Sequence, residues 1–372
     1  MSAPRPDAAV VGAGIVGAAC AEALAASGLS VEILETRFAG SGATGSAMGH
    51  LVVLDDSEAQ FSLSALSRRL WEERAAELPP EVEDVPAGTL WVAADEEEMG
   101  LVRSKAAFYA GRGVDTQILD GRALAEAEPN LRPGLAGGLL VPGDRILYPP
   151  AAARWLLARA EALGARLRSG EGVVEVGAGF VRTRTVRIDA GVVVVAAGAQ
   201  APSLLPGLAV VPKKGHLVIT DRAPGFARRQ LIELGYLRSA HGGARESVAF
   251  NLQPRATGQM LLGSSRELVG LEAGINRALC GRMVRRALEY MPALARLPAI
   301  RVWTGFRPAT PDNLPHIGRW PGMSGVFVAA GHEGLGITTS LGTARIVADL
   351  VSGRTPPIDP SPFDPARSLA HA

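Results

Sequence analysis

Cysteine is nearly absent: Cys20 and Cys280 are the two thiols in 372 residues. Two thiols cannot build a disulfide framework or a four-cysteine zinc site, and their scarcity fits a reducing compartment, so a cytoplasmic location is expected. The six histidines show no metal-ligand spacing, and no metal site is expected. An excess of charge of either sign is lacking too. Lys and Arg number 38 against 37 for Asp and Glu, a net charge of +1, which removes the bulk electrostatic case for nucleic acid or an anionic membrane. Any anion binding is therefore local. No apolar run reaches the roughly 20 residues of a spanning helix, and no internal repeat or low-complexity tract is evident. What is present is 47% apolar and 20% charged residues, the balance of a globular protein with a large core. Single cores stop growing at roughly 250 to 300 residues, so two domains are expected. Arg5 ahead of an alanine-rich stretch has the look of a secretory signal, but Glu22 interrupts the apolar run.

Residues 8–11 are a short apolar run ending in Gly12-Ala13-Gly14-Ile15-Val16-Gly17; residues 18–26 are small and helix-forming, and Gly28 closes them. Residues 29–35 then read as a strand whose terminal acid, Glu35, lies 23 positions after Gly12. The order is strand, tight turn, helix, strand. In such a unit Gly12 permits the turn, Gly14 lets backbone approach a pyrophosphate, and Gly17 lets the helix pack close to the strand. The helix N-terminus offers free N–H groups and the positive end of its dipole to phosphate, and Glu35 accepts from a ribose hydroxyl. An adenine dinucleotide is the expected ligand. The alternative is a glycine-rich turn in an unrelated helix and strand pair.

Further on, residues 39–49 form a glycine-rich loop, and 56–78 an amphipathic helix closed by Pro79 and Pro80. Strands are expected at 88–93, 137–141, 210–220, 247–253 and 259–263, and helices near 96–112, 151–164 and 274–290. Several of these strands alternate or pair across turn signals such as 255–258, which favours an antiparallel sheet. Residues 191–197 differ, being an unbroken valine and alanine run that ends in Gly198, as a strand buried on both faces would be. Residues 326–330, leading into Gly331 and a helix over 336–352, look like another such strand. The dinucleotide domain is thus expected to be discontinuous, from residues 1–80, 142–209 and 306–372, with residues 81–141 and 210–305 as an inserted substrate domain. The proline-rich tail from Arg354 is expected to drape over the surface.

Beyond the first unit, residues 41–49, 88–90, 193–199, 212–216, 254–255, 305–308, 311–312, 315–318 and 331–336 follow one order along nearly the whole chain. In that order they resemble the D-amino acid oxidase superfamily of flavoproteins, in the branch of glycine oxidase, sarcosine oxidase and D-amino acid dehydrogenases. The resemblance implies an α/β protein with a Rossmann-like (GR2-type) FAD-binding domain and an inserted antiparallel-sheet α+β substrate domain. It implies non-covalent FAD held by Gly12, Gly14, Ile15, Val16 and Gly17, and by Glu35, Thr36 and Arg37. A second group is the loop carrying Ser41, Thr44, Gly45, Ser46, Ala47, Met48 and Gly49, whose lack of bulk lets it run along the pyrophosphate and flavin. Val173, Val174, Ala197, Gly198, Gly305 and Arg307 complete the middle of that site. The last group is Gly331, His332, Gly334, Leu335, Gly336 and Ile337, a turn that brings a helix N-terminus to the pyrimidine edge, where its dipole favours negative charge on reduced flavin.

The same resemblance implies oxidation of the C–N bond of a small amino or imino acid. Arg307 pairs with the substrate carboxylate, for which its planar fork is suited, or else caps backbone carbonyls. Hydride leaves the α-carbon of the neutral amine and an imine results, so no dedicated base is required. His50 contacts flavin or substrate, packs as a hydrogen-bonded histidine, or carries a covalent flavin link; His332 orients its turn. Where relatives place an aromatic residue before the Pro-Arg pair, Asn251 stands, with Gln253 on the same strand face. Both are candidates to bond a substrate hydroxyl or amide, unless they satisfy neighbouring backbone. Glu333 receives the charge of a substrate amine or remains a solvated carboxylate. No cysteine lies near Arg307, so a cysteinyl flavin link is not expected.

Residues 45–57, 59–61 and 248–255 resemble the catalytic subunits of bacterial D-hydroxyproline dehydrogenases and their opine oxidase relatives. That likeness implies a D-hydroxyproline or D-proline dehydrogenase. Oxidation of glycine, sarcosine or an N-carboxymethyl amino acid is the alternative, as is a catalytic subunit of a multi-subunit electron-transfer complex. The acceptor is oxygen, a quinone or a partner electron-transfer subunit, and two cysteines bring no iron–sulfur cluster of the chain's own. Neither nucleic acid nor a transmembrane segment is expected. An NAD-dependent dehydrogenase would share the first motif and be colourless.

Overall fold

The computed structural model describes residues 5–235 and 245–371. Two large sheets organise them. The first has the strand order His316–Arg319, Val326–Ala330, Val192–Val195, Ala8–Val11, Val31–Glu35, Arg166–Ser169. Neighbours are parallel except His316–Arg319 with Val326–Ala330. Strand alternation sends Ala8 and Val10 to one face and Ala9 and Val11 to the other, and each face is covered. Helices Ile15–Ala26, Pro149–Ala162 and Gly336–Val351 cover one. The small sheet of Val173–Gly177, Phe180–Thr183 and Arg187–Asp189, with helix Ala201–Leu204, covers the other. Burial on both faces is why these strands read as unbroken apolar runs.

The first helix is alanine-rich for a packing reason. Ala18, Ala19, Cys20 and Ala21 are fully buried, so small side chains let the helix lie tight between the sheet and two other helices. Its buried Glu22 is met by Arg74 and Arg159, each 3.1 Å away.

The second sheet has eight strands in the order Ala299–Ala309, Val211–Arg222, Gln259–Glu267, Glu246–Pro254, Gln230–Glu233, Thr89–Ala93, Gly137–Val141, Gln117–Asp120. It is antiparallel except between Gln230–Glu233 and Thr89–Ala93. Helix Arg277–Tyr290 packs on one face, and helix Glu96–Ala110 on the other. The strand expected at 259–263 continues to Glu267 because Ser264, Ser265, Arg266 and Glu267 are buried although polar, which hides the strand from a hydrophobicity reading. Strand Ala299–Ala309 pairs along Val211–Arg222 and runs through the expected junction at 305/306, carrying Gly305 and Arg307 with it. The helix expected over 56–78 is Glu58–Glu73, capped by Ser57, whose hydroxyl accepts from Gln60 N–H at 3.1 Å, and is followed by a single turn at Ala75–Glu77. The tail crosses the surface as expected but is anchored, with Phe363 buried in the core beside the C-terminal helix. Among the described residues no helix is long and apolar enough to cross a membrane.

Candidate active site

The turn after the first strand is closed by contacts only glycine permits. Gly12 has φ +104°, and a Cβ there would stand 2.7 Å from the Ala196 oxygen; one on Gly17 would stand 1.9 Å from the Gly12 oxygen. Ala197 and Gly198 follow Ala196 at this point of closest approach. At the N-terminus of the first helix, after Gly14, Ile15 N–H donates to Thr44 Oγ1 at 3.0 Å. Glu35 accepts from Ala13 N–H and from Arg37 N–H, each at 2.9 Å, and Arg37 Nη2 donates to the Ser41 oxygen at 2.7 Å. The terminal acid thus ties the glycine turn to the loop that follows. Thr36 packs on Gly172, next to Val173 and the half-exposed Val174.

The loop through Gly45, Ala47 and Gly49 is fastened to the other domain. Gln253 Nε2 donates to the Met48 oxygen at 3.0 Å and Trp303 Nε1 to the Ser46 oxygen at 3.3 Å, while Gly305 backs directly onto Ser46. Thr338 Oγ1 donates to the His50 oxygen at 2.8 Å. Gly331 leads out of its strand into the turn, Gly336 opens the C-terminal helix beside Val16 of the first helix, and Ile337 is buried. Two helix N-termini therefore converge, a positive environment suited to an anionic dinucleotide.

Beside this cradle lies a partly open cavity. Its apolar wall includes Val52, Leu54, Trp91 and Ile232; its polar wall includes His50, Gln60, Asn251, Arg266, Asn313 and Glu333, with Gly334 and Leu335 at the turn. His50 Nε2, Gln60 Nε2, Trp91 Nε1, Asn251 Oδ1 and Glu333 Oε1 are buried without a hydrogen-bond partner in the protein. Each such atom costs about 1–3 kcal/mol, so their gathering around one cavity marks a place for a polar ligand.

Charge in the cavity is concentrated at Glu333. Burial pushes its carboxyl up, but Arg266, Arg307 and Lys213 together reverse this and hold it below the usual glutamate value. Arg266 Nε is 3.5 Å and Lys213 Nζ 3.9 Å from Glu333 Oε1. Arg307 lies beside the cavity-lining Gly334, donating from Nη1 to the Ser265 oxygen at 3.1 Å and packing on Gly215. His50 is neutral: burial lowers it to about 3, the Gln253 amide opposes this, and Arg307 adds to it. His332 is lowered to about 3 by burial and by His316, and its Nε2 shares a 3.0 Å hydrogen bond with Thr343 Oγ1, a contact that orients the turn.

The structure thus gathers Asn251, His50 and Glu333 on the cavity, sets Arg307 against Gly334 at its edge, and gives Gln253 to the loop. Gln60, Trp91, Arg266 and Asn313 were not indicated by the sequence. Arg266 left one trace, a charged residue in line with a strand that lies inside a sheet.

A glycine-closed dinucleotide cradle beside a polar cavity carrying guanidinium and carboxylate defines an oxidoreductase with its redox cofactor on one domain and its substrate against the other. The family model for DAO, FAD dependent oxidoreductase, matches residues 7–350, and the chain belongs to that family. The glycine oxidase of Pseudomonas aeruginosa is 30% identical over 97% of this chain and 98% of its own. The crystal structure of glycine oxidase from Geobacillus kaustophilus aligns with a TM-score of 0.87 at 29% identity, covering 97% of this chain and 98% of that one. The fold is shared with L-proline dehydrogenase from P. horikoshii, at a TM-score of 0.88 and 24% identity over 99% of this chain and 98% of that one. The chain is accordingly an FAD-dependent oxidoreductase acting on amino acid C–N bonds.

Proposed function

We propose that the chain is a dehydrogenase of a small cyclic imino acid of the D-proline or D-hydroxyproline kind. The supporting observation is the polar cavity, where Asn251 and the Arg266–Glu333 pair face the substrate space. Gly12, Gly14, Ile15, Val16, Gly17, Glu35, Thr36 and Arg37 hold the dinucleotide end of FAD, with Val173, Val174, Ala197 and Gly198 alongside. The loop from Ser41 to Gly49, with Gly305 and the turn from Gly331 to Ile337, holds the flavin end. The flavin, when bound, accepts a hydride.

The chain's own groups position the substrate. Arg307, with Arg266 beside Glu333, draws the substrate carboxylate by charge-assisted hydrogen bonds. Glu333, kept ionised, accepts the substrate N–H; a carboxyl held below its usual value serves as an acceptor of hydrogen bonds and not as a base. Fixing carboxylate and nitrogen fixes the α-carbon between them, and positioning of this kind supplies most of what the reaction asks of the protein. His50, uncharged, adds a hydrogen-bonding ring without competing for the carboxylate. Val52, Leu54 and Ile232 keep water from that side. The α-carbon gives up its hydride and the substrate leaves as a cyclic iminium, which yields its nitrogen proton to water to become the imine, or as an open iminium that water hydrolyses.

A glycine oxidase-like activity on glycine, sarcosine or an N-carboxymethyl amino acid is the second reading, supported by full-length likeness to glycine oxidases. The acceptor, whether oxygen, a quinone or a partner electron-transfer subunit, follows from the same experiment. The visible spectrum of purified protein is recorded anaerobically while cis-4-hydroxy-D-proline, D-proline, sarcosine and glycine are added in turn, and air is then admitted. Bleaching by a ring substrate with slow recovery in air supports a dehydrogenase. Bleaching by glycine-type substrates alone, with fast recovery, replaces it with an oxidase.

A further inference from the structure

Among the described residues three that are not glycine have a left-handed backbone: Glu83, Asn313 and Glu333. Asn313, at φ +59°, and Glu333, at φ +44°, border the same cavity. Such a backbone is unfavourable for a residue with a side chain and persists where the surroundings impose it; asparagine tolerates it best. At Asn313 the C-terminal segment imposes it. Arg367 Nε lies 2.7 Å from Asp312 Oδ2, and its Nη2 donates to the carbonyl oxygens of Leu314 at 2.6 Å and Pro315 at 3.1 Å. The adjoining Ser368, buried, accepts from Ala209 N–H at 3.1 Å and hydrogen-bonds His316 Nε2 at 3.1 Å. Within the turn, Thr310 Oγ1 donates to the Leu314 oxygen at 2.9 Å and Leu314 N–H to Asp312 Oδ1 at 3.1 Å. None of these bonds uses the Asn313 amide. The tail therefore clamps the turn on both sides of Asn313 and leaves its side chain at the cavity.

We propose that Asn313 is a specificity-determining residue that hydrogen-bonds an oxygen carried on the substrate beyond its α-carboxylate, and that Arg367 is the positioning residue that presents it. This rests on the amino or imino acid reading above. Arg266 and Glu333, buried on the cavity wall, answer the charged head of such a substrate. An uncharged amide, with two donors and an acceptor, answers an uncharged oxygen such as a hydroxyl. The C-terminal segment is in this way part of the active site although no residue of it borders the cavity.

Asn313→Gly retains the left-handed backbone without steric cost and removes only the amide. In this variant the ratio of kcat/KM for cis-4-hydroxy-D-proline to that for D-proline is expected to fall about tenfold, the worth of one buried hydrogen bond, with no drop in Tm. Arg367→Ala should lower the same ratio, chiefly through KM for the hydroxylated substrate, and Arg367→Lys should restore part of it. A ratio unmoved in Asn313→Gly overturns the proposal, as does an Arg367→Ala variant slowed equally on both substrates through kcat. If the unaltered enzyme oxidises neither ring substrate, the functional reading falls and takes this proposal with it. If it oxidises both and the ratio does not move, this proposal alone falls.

Discussion

Replacing Glu333 by glutamine removes a negative charge held among Arg266, Arg307 and Lys213. Its side chain is 9% exposed and Arg266 is 3% exposed, so neither charge has much water to fall back on. Removing one partner of a buried pair costs about 3–5 kcal/mol. At 3.5 and 3.9 Å the contacts are longer than hydrogen bonds, which places the expectation near the lower end, about 3 kcal/mol. For a chain of this size that is a fall in Tm of roughly 4 °C. Glycine separates charge from backbone: Glu333→Gly loses the same ion pairs but sheds the left-handed penalty, about 1 kcal/mol, so it should melt about a degree above the glutamine variant. The pH dependence follows from the lowered carboxyl. Its stabilisation is complete above the ordinary glutamate value of 4.5 and is lost as pH falls below it. Thermal melts across this range should therefore show the full gap between unaltered enzyme and Glu333→Gln at neutral pH and a closing gap in acid. A glutamine variant as stable as the unaltered enzyme at neutral pH refutes the reasoning. So does a gap that stays constant into acid.

Asp144 should behave with the opposite sign. It is 1% exposed, and burial lifts it to about 7 against the pull of Thr89, Arg68 and Lys105. Its folded value lies above its ordinary 3.8, so stability declines as pH rises from there toward 7. Asp144→Asn should escape that decline and gain on the unaltered enzyme in urea unfolding above neutrality, and a gain equal at acid and alkaline pH would sink the explanation. Arg307→Ala should raise KM for carboxylate substrates about a hundredfold while flavin content holds, since charge-assisted bonds are worth roughly 1.5–3 kcal/mol each; unchanged kinetics remove Arg307 from the site. Glu35→Gln should weaken FAD retention through gel filtration, and full occupancy in that variant would end the ribose role.

The cradle was legible in the sequence because its determinants are local: Gly12, Gly14, Gly17 and Glu35 lie within one βαβ unit, where spacing alone fixes geometry. The strands at 192–195 and 326–330 were legible for a related reason, since burial on both faces writes itself as valine and alanine. The cavity was not. Gln60 comes from a helix, Trp91 and Arg266 from separate strands, and Asn313 from a turn clamped by a residue 54 positions later. Each is set by tertiary packing that leaves no periodic signal, and Arg266 breaks the apolar alternation by which its strand would have been read.

The order of the first sheet also dictates an order in time. Ala8–Val11 is made before the other strands of this sheet, yet its parallel neighbour Val192–Val195 is encoded some 180 residues later, and Val326–Ala330 later still. At about 5–20 residues per second a ribosome takes roughly 10–40 s to span the first of those intervals. The glycine turn thus waits on the ribosome with one flank bare, and the Gly331 turn that faces it emerges later than both strands. The complete cradle is accordingly there to receive FAD only after Val326–Ala330 and the turn that follows it have joined the sheet.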